Sequence, residues 1–356
     1  MPVFLDRGSL GYRHFAATEE SRGKQQPDFR ENDANCIDLG LVNNMPDSAL
    51  EQTERQILTL LDAVAGDIVV RLRLYALPDV QREEWGRKHL SRLNYYSSED
   101  LWNSRIDGLI VTGAEPRAPD LVLEPYWNTL AKVFDWAEHN TSSTVLSCLA
   151  VHAAVQHLDG IGRHSLADKC FGVFEFERSS GHQMIGGLPS RLQMPHSRWN
   201  EIREDALTSC GYEILVRGPD AGVDTFVKSR KSLFVFFQGH PEYDAWTLMA
   251  EYRRDIERFL KGEREAYPSM PRGYFDEASA RALNALRDRA LVDRRKELVG
   301  TFPTDLLVGK LKHSWRPAAT QMYSNWLRYM SARKAERSRP GFPSVTGTAA
   351  RTRHHV

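Results

Sequence analysis

Through the first half of the chain, apolar residues fall in short unbroken blocks, with longer stretches of helical spacing between them. Cys36 to Val42 is nearly continuous apolar sequence, the pattern of a strand buried on both faces. Pro46, Asp47 and Ser48 supply helix-start chemistry. The helix they open is predicted to run to about Ala65, with Leu50, Ile57, Leu58, Leu61 and Val64 as its inner stripe. Ile68 to Tyr75 alternates apolar residues with Arg71 and Arg73 and reads as a second strand. A polar region from Pro78 to Asn103 follows. Next come a strand at Gly108 to Val111, a turn at Thr112 to Arg117, a helix at Tyr126 to His139 and a strand at Thr144 to Ser147. This alternation predicts a mostly parallel sheet with helices on both faces. In such sheets ligands bind beyond the carboxyl ends of the strands, where Gly113, Cys148 and His240 fall.

Residues 170 to 240 change character. Short β-like runs (Gly172 to Phe176, Gly211 to Val216, Thr225 to Lys228, Ser232 to Phe237) are separated by Gly, Pro and Asp turns, which predicts an antiparallel extension of the sheet. Helices are expected at Thr247 to Lys261 and at Tyr323 to Met330. Between them lies a charged helical insertion over about 277–299, with Ala280, Leu283, Leu286 and Leu291 on one side. Residues 1–35 are polar and irregular and read as an extended arm. Residues 36–332 form one elaborated domain, and 333–356 read as a basic, disordered tail rich in Pro, Gly, Ser and Thr. A solvated tail is the expectation for that segment, ahead of nucleic-acid binding.

Composition narrows the function classes. Lys+Arg and Asp+Glu are 47 each, so no net field steers the protein to nucleic acid or to a membrane. The four cysteines show neither metal spacing nor a dense disulfide framework, which suits a reducing cytoplasm. No apolar stretch approaches the ~20 residues of a membrane span, and the N-terminus carries no signal-peptide pattern. Phosphate-loop and dinucleotide-binding glycine motifs are missing, which argues against nucleotide hydrolysis and nicotinamide chemistry.

The chemistry gathers at two strand ends. In Thr144-Val145-Leu146-Ser147-Cys148-Leu149-Ala150 the pattern switches from strand to helix at Cys148. A cysteine there is lifted out on a sharp elbow at a helix N-terminus, where free N–H groups favour a thiolate. A second apolar run, Leu233 to Gln238, ends in Gly239-His240-Pro241-Glu242. In extended backbone His240 and Glu242 project to the same side, so a Cys148–His240–Glu242 triad can be drawn with nucleophile, base and orienting carboxylate. Taken alone, Cys148 reads as a buried structural thiol and His-Pro-Glu as weak evidence; together they are much stronger. His152, one turn after Cys148, has no further candidate ligand and reads as a helix residue near the site. Cys170 and Cys210 read as inert core thiols.

These motifs resemble the class I glutamine-amidotransferase-like, flavodoxin-like α/β fold. With Leu41-Val42-Asn43-Asn44-Met45-Pro46, Asp107 to Ala114, Pro195-His196-Ser197-Arg198, Gly239 to Ala245, Glu251 to Asp255 and Ser324-Asn325-Trp326-Leu327, the chain is similar to the homoserine O-acyltransferase family of the homoserine O-succinyltransferase type over roughly residues 35–330. The resemblance implies ping-pong transfer of a succinyl group from succinyl-CoA to the hydroxyl of L-homoserine, in methionine biosynthesis. Cys148 would carry the acyl group, His240 would act as base and Glu242 would orient it. The backbone amides of Leu149 and of the Gly113–Ala114 turn are the nominated oxyanion donors. It further implies that Lys169 lies on the acyl-donor side, that Ser197 contacts substrate, and that Glu251 and Arg254 hold the charged groups of homoserine. Without it, Glu251 and Arg254 would read as a surface ion pair. No resident cofactor is expected, the acyl-CoA being a co-substrate. A homodimer and a cytoplasmic location are implied.

Three positions depart from the family pattern. Leu149 stands where Trp is common after the nucleophile, and Asp47 stands where a lysine is common. Arg117 stands at the position whose Gly or Glu accompanies succinyl or acetyl transfer. An arginine there can pair the free carboxylate of a succinyl group, which leans the reading to succinyl. Acetyl-CoA as donor and serine as acceptor stay open. The rival readings are a glutamine amidotransferase or γ-glutamyl hydrolase using the same triad, and a non-catalytic binding protein.

Overall fold

A computed structural model describes residues 3–6 and 35–337. The remainder of the expected arm, and the expected tail beyond residue 337, lie outside the described residues. The strands are β1 (Val3–Leu5), β2 (Cys36–Val42), β3 (Val69–Tyr75), β4 (Gly108–Val111), β5 (Ser143–Ser147), β6 (His164–Arg178), β7 (Arg191–Glu201), β8 (Glu213–Gly218), β9 (Gly222–Ser229) and β10 (Leu233–Phe237). The helices are α1 (Asp47–Val64), α2 (Glu84–Arg92), α3 (Ser98–Trp102), α4 (Trp127–Asn140), α5 (Leu149–Asp159), α6 (Glu204–Ser209), α7 (Thr247–Leu260), α8 (Glu277–Val292), α9 (Thr304–Val308) and α10 (Arg316–Arg337).

All ten strands form one sheet, in the order β1-β3-β2-β4-β5-β10-β9-β8-β6-β7. From β1 to β10 every pairing is parallel, and from β10 to β7 every pairing is antiparallel. The predicted mixed α/β architecture is therefore present, and β10 is the strand on which the two halves meet. Because side chains alternate across a strand, β5 and β10 feed two cores. Val145, Val235 and Phe237 face a layer containing Ile57 and Leu61 of α1 and Met322, Trp326 and Leu327 of α10. Leu146, Phe234 and Phe236 face Val133 and Phe134 of α4 and Ala150 and Ala154 of α5. A third cluster joins α7 and α8 through Leu248, Ile256, Leu283 and Leu286. No helix among the described residues is long and apolar enough to cross a membrane.

Several elements differ from their predicted form. The polar stretch before Asn103 holds α2 and α3; their apolar positions are too few to show a stripe. The insertion helix stops at Val292, and residues 296–301 form a separate 3-10 turn. Its inner face is Leu283, Leu286 and Ala290, while Leu291 is 58% exposed, because the buried row steps by three and four residues. The last helix is much longer than Tyr323 to Met330. It begins at Arg316 with Pro317 in its first turn, and it continues to Arg337. Lys334 fastens this end by donating to Cys36 O at 2.7 Å and to Asp107 Oδ2 at 2.9 Å, so residues 333–337 are helix rather than tail. Val3–Leu5, read as part of the arm, pairs with β3 as an edge strand. The strand β7 was not anticipated, since Pro195 interrupts its pattern. As the outermost strand of the antiparallel half it tolerates a residue with no N–H to donate.

Candidate active site

Two adjacent parallel strands bring the chemistry together. The end of β10 is in register with the end of β5, Phe237 opposite Ser147, so the segments leaving both strands emerge side by side. The Cys148 amide donates to Phe237 O at 2.9 Å, closing the ladder at the point where the chains diverge. Cys148 then turns with φ 52° and ψ −116°, a backbone conformation that non-glycine residues rarely adopt. Such a conformation costs on the order of 1–3 kcal/mol and is typical of a nucleophile elbow. Burial of the following helix, residues 149–155, holds the chain in it.

His240 Nδ1 lies 2.8 Å from Glu242 Oε1, with both side chains buried. Burial alone would push the imidazole toward its neutral form. The Cys148 sulfur on one side and the Glu242 carboxylate on the other outweigh burial and hold its pKa well above the ordinary histidine value. Ser147 Oγ donates to the same carboxylate oxygen at 3.4 Å. The ring of Tyr243 stacks on His240 with centroids 4.1 Å apart. Its backbone oxygen accepts from His313 and from the Trp315 indole, each at 2.9 Å, so the C-terminal segment clamps this loop.

The turn that delivers His240 is braced from β7. The His240 amide donates to Pro195 O at 2.9 Å, and the Gly239 amide donates to Asp224 Oδ1 at 3.2 Å. His196 is wholly buried with Nε2 3.1 Å from Asp224 Oδ1, while Arg198 Nε donates to its Nδ1 at 3.2 Å. Burial pushes the His196 pKa down to about 4 against the pull of Asp224, so the ring is neutral at pH 7. Gly239 is required by this close packing: a Cβ there would lie 2.6 Å from Asp224 Oδ1, 2.9 Å from His196 Nε2 and 2.9 Å from Pro195 O.

Gly113 packs on the elbow, and a Cβ on it would lie 3.1 Å from Leu149 N. The amides of Gly113, Ala114 and Leu149 meet no backbone acceptor among the described residues. Gly113 and Leu149 thus adjoin Cys148 at the elbow.

Alternation along β7 puts Ser197 on the face opposite His196 and Arg198. Ser197 Oγ donates to Glu251 Oε2 at 2.5 Å, and Tyr243 Oη donates to Glu251 Oε1 at 2.7 Å. Lys169 Nζ lies 3.6 Å from Glu251 Oε2 and 3.5 Å from Asp255 Oδ2. Burial, with Glu251 beside it, raises the Tyr243 pKa well above the usual phenol value and keeps it a donor. Lys169, Ser197 and Glu251 thus meet in one cluster adjoining His240. Arg254 does not join them: its side chain is 45% exposed and pairs with Asp255 at 3.3 Å, so it stands at the rim. The Arg117 amide donates to Glu124 Oε1 at 2.5 Å, and its guanidinium reaches Gln81. Tyr243, Asp255 and the His196–Asp224 brace carried no predicted role, although Tyr243, Asp255 and His196 lie inside motifs quoted for the resemblance.

His152 is buried, and its pKa is pushed down to about 3 by burial, with Arg198 and Arg163 adding to it. Among the described residues no three His, Cys, Asp or Glu side chains gather as a metal site. The Cys170 thiol is pushed up by burial, away from reactivity.

Comparison with known proteins places this arrangement in context. A family model described as homoserine O-succinyltransferase matches residues 12–337. The chain is 49% identical over 294 residues to a homoserine O-succinyltransferase of Rhodopseudomonas palustris, covering 83% of this chain and 88% of that one. It is 44% identical over 310 residues to the enzyme of the same name from Bradyrhizobium japonicum, covering 85% and 93%. Among solved structures, a glutamine amidotransferase from Thermotoga maritima superimposes with a TM-score of 0.45 at 11% identity, covering 83% of this chain and 98% of that one.

Proposed function

The chain belongs to the homoserine O-succinyltransferase family, and from that premise we propose that it moves a succinyl group from succinyl-CoA to the hydroxyl of L-homoserine through a thioester on Cys148. The observation that carries this reading is a cysteine on a strained elbow with a buried His240–Glu242 pair at 2.8 Å behind it. In the first half-reaction the Cys148 thiolate attacks the thioester carbonyl. The oxyanion that forms is held by the amides of Leu149 and the Gly113–Ala114 turn. Collapse breaks the bond to the CoA sulfur, which leaves with a proton from His240. One thioester replaces another, so the step is close to thermoneutral and suits a cysteine.

In the second half-reaction homoserine binds with its ammonium toward Glu251, where Tyr243 and Ser197 already orient the carboxylate. Its own carboxylate turns to the cationic side, toward Lys169 or Arg254 at the rim. His240 removes the hydroxyl proton, the oxygen attacks the acyl carbon and Cys148 departs as thiolate. Glu242 keeps the imidazole oriented and stabilises its charged form. The CoA thioester supplies the activation, so no resident cofactor or metal is needed. By family resemblance we also assign a homodimer and a cytoplasmic location; light scattering on the purified protein tests the first.

Initial-rate kinetics test the mechanism. Varying succinyl-CoA at several homoserine concentrations yields parallel double-reciprocal lines if a free acyl-enzyme intervenes. Intersecting lines with no CoA release in the absence of homoserine contradict it. Ammonia release from glutamine in place of transfer would favour the amidohydrolase rival.

A further inference from the structure

Glu251 and Asp255 lie one turn apart on α7, and Lys169 of β6 reaches both. Like charges at this spacing weaken a helix, so the second carboxylate is explained by what it holds. Asp255 is buried and gathers three cations. Its Oδ1 accepts from Arg254 Nη2 at 3.3 Å and from Arg254 Nε at 3.4 Å. Its Oδ2 accepts from Lys169 Nζ at 3.5 Å and has Arg264 Nη1 at 3.8 Å. Glu251 is bonded differently. Its two oxygens accept from neutral hydroxyls, Ser197 at 2.5 Å and Tyr243 at 2.7 Å, while the Lys169 ammonium stands off at 3.6 Å.

This division matters because either neighbouring cation could neutralise Glu251. Arg254 follows Glu251 by three residues, a spacing that brings side chains together on a helix. Lys169 Nζ, now 3.6 Å away, needs to move less than 1 Å to reach the ~2.8 Å of a charge-assisted hydrogen bond. What keeps it back is the bond to Asp255 on one side and the ring of Phe171, 4.0 Å below the ammonium, on the other. A glutamate closed onto a lysine or arginine has no charge left for an incoming ammonium. One held by two hydroxyls keeps its charge.

We propose that Asp255 is a positioning residue for the acceptor: by holding Lys169 and Arg254, it keeps the Glu251 carboxylate open to the ammonium of an amino acid. The proposal rests on the transferase reading above and deepens it. Asp255 touches no substrate in this account and acts through Glu251.

The test uses Asp255→Asn and the smaller Asp255→Ser, both uncharged, so that either folded variant reports. Without the Asp255 charge, Lys169 or Arg254 closes on Glu251. In steady-state transfer from succinyl-CoA, KM for L-homoserine should rise about 10- to 100-fold, the range for one lost hydrogen bond to a charged group. 4-Hydroxybutyrate, the same acceptor without its ammonium, is measured as a competing ligand and should weaken less than threefold. Placed in a Glu251→Gln background, the Asp255 substitution should add less than threefold to the homoserine KM, since no carboxylate is left to protect. A homoserine KM within threefold of the unaltered protein overturns the proposal. So does an equal rise in the Glu251→Gln background, or an equal weakening of homoserine and 4-hydroxybutyrate, either of which marks Asp255 as structural only. Failure of the unaltered protein to transfer succinyl at all is a different result. It defeats the transferase reading, and this role of Asp255 with it.

Discussion

Substituting Gly239 by alanine tests whether the β7 brace positions the base. The added Cβ would sit 2.6 Å from Asp224 Oδ1 and 2.9 Å from both His196 Nε2 and Pro195 O. None of these can easily yield. Pro195 O is backbone that also accepts the His240 amide at 2.9 Å, and Asp224 and His196 are fully buried. Restoring ordinary contact at ~3.5 Å requires the two segments to separate by about 0.9 Å, and the segment that moves carries His240. A displacement near 1 Å at a reacting group costs on the order of 100-fold in rate, or about 2.7 kcal/mol of transition-state stabilisation. Overpacking costs about 1–3 kcal/mol of stability, partly offset by the ~0.4–1 kcal/mol that alanine removes from the unfolded chain's entropy. The assay is CoA release with succinyl-CoA and homoserine, beside a thermal melt. Gly239→Ala should lose about two orders of magnitude in kcat/KM with a fall of a few degrees in Tm. Activity within threefold of the parent, with Tm unchanged, would refute the reasoning that this contact sets the base.

Three further expectations follow from the same geometry. Glu242→Gln removes the charge that helps outweigh burial at His240, so the imidazole's pKa falls and kcat/KM should drop 100-fold or more; a pH–rate profile that keeps its shape and height contradicts the assigned role. Glu251→Gln should raise KM for homoserine at least tenfold more than KM for succinyl-CoA, in steady-state kinetics with each substrate varied, since only the amino acid brings an ammonium to that carboxylate. His196 is buried neutral with a pKa of about 4, so its native state resists protonation that the unfolded chain accepts near pH 6.5. Its share of stability is present above the unfolded value and is lost as pH falls toward 4, amounting to about 2 kcal/mol at pH 5. Urea midpoints should therefore decline between pH 7 and 5, and less so in a folded His196→Gln variant.

Local chemistry was legible in the sequence; distant pairing was not. The Cys148 elbow and the His240–Glu242 pair each lie within one contiguous stretch, where the change from strand to helix period is visible residue by residue. Their meeting follows from β5 and β10 being neighbours, which the run of parallel strands allowed but did not require. The strand β7 escaped notice because its evidence is tertiary: Pro195 breaks the local pattern, and the strand exists by pairing with β6. The same holds for the ends of α10. Its apolar stripe marks only the middle, whereas Lys334 is held by Cys36 and Asp107 from elsewhere in the chain. Arg254 shows the converse: the resemblance set it beside Glu251 as a substrate contact, but its side chain is 45% exposed and, among the described residues, pairs only with the neighbouring Asp255. Asn44 was visible only as part of a motif. That its side-chain amide is buried with no hydrogen-bond partner is a fact of the folded state alone.

The central claim is that Cys148 carries the acyl group. Incubating the protein with succinyl-CoA in the absence of homoserine and weighing it intact tests this directly. One succinyl increment, missing in Cys148→Ser and discharged on adding homoserine, is the predicted result. No increment with either succinyl-CoA or acetyl-CoA, or an increment that persists in Cys148→Ser, would contradict it.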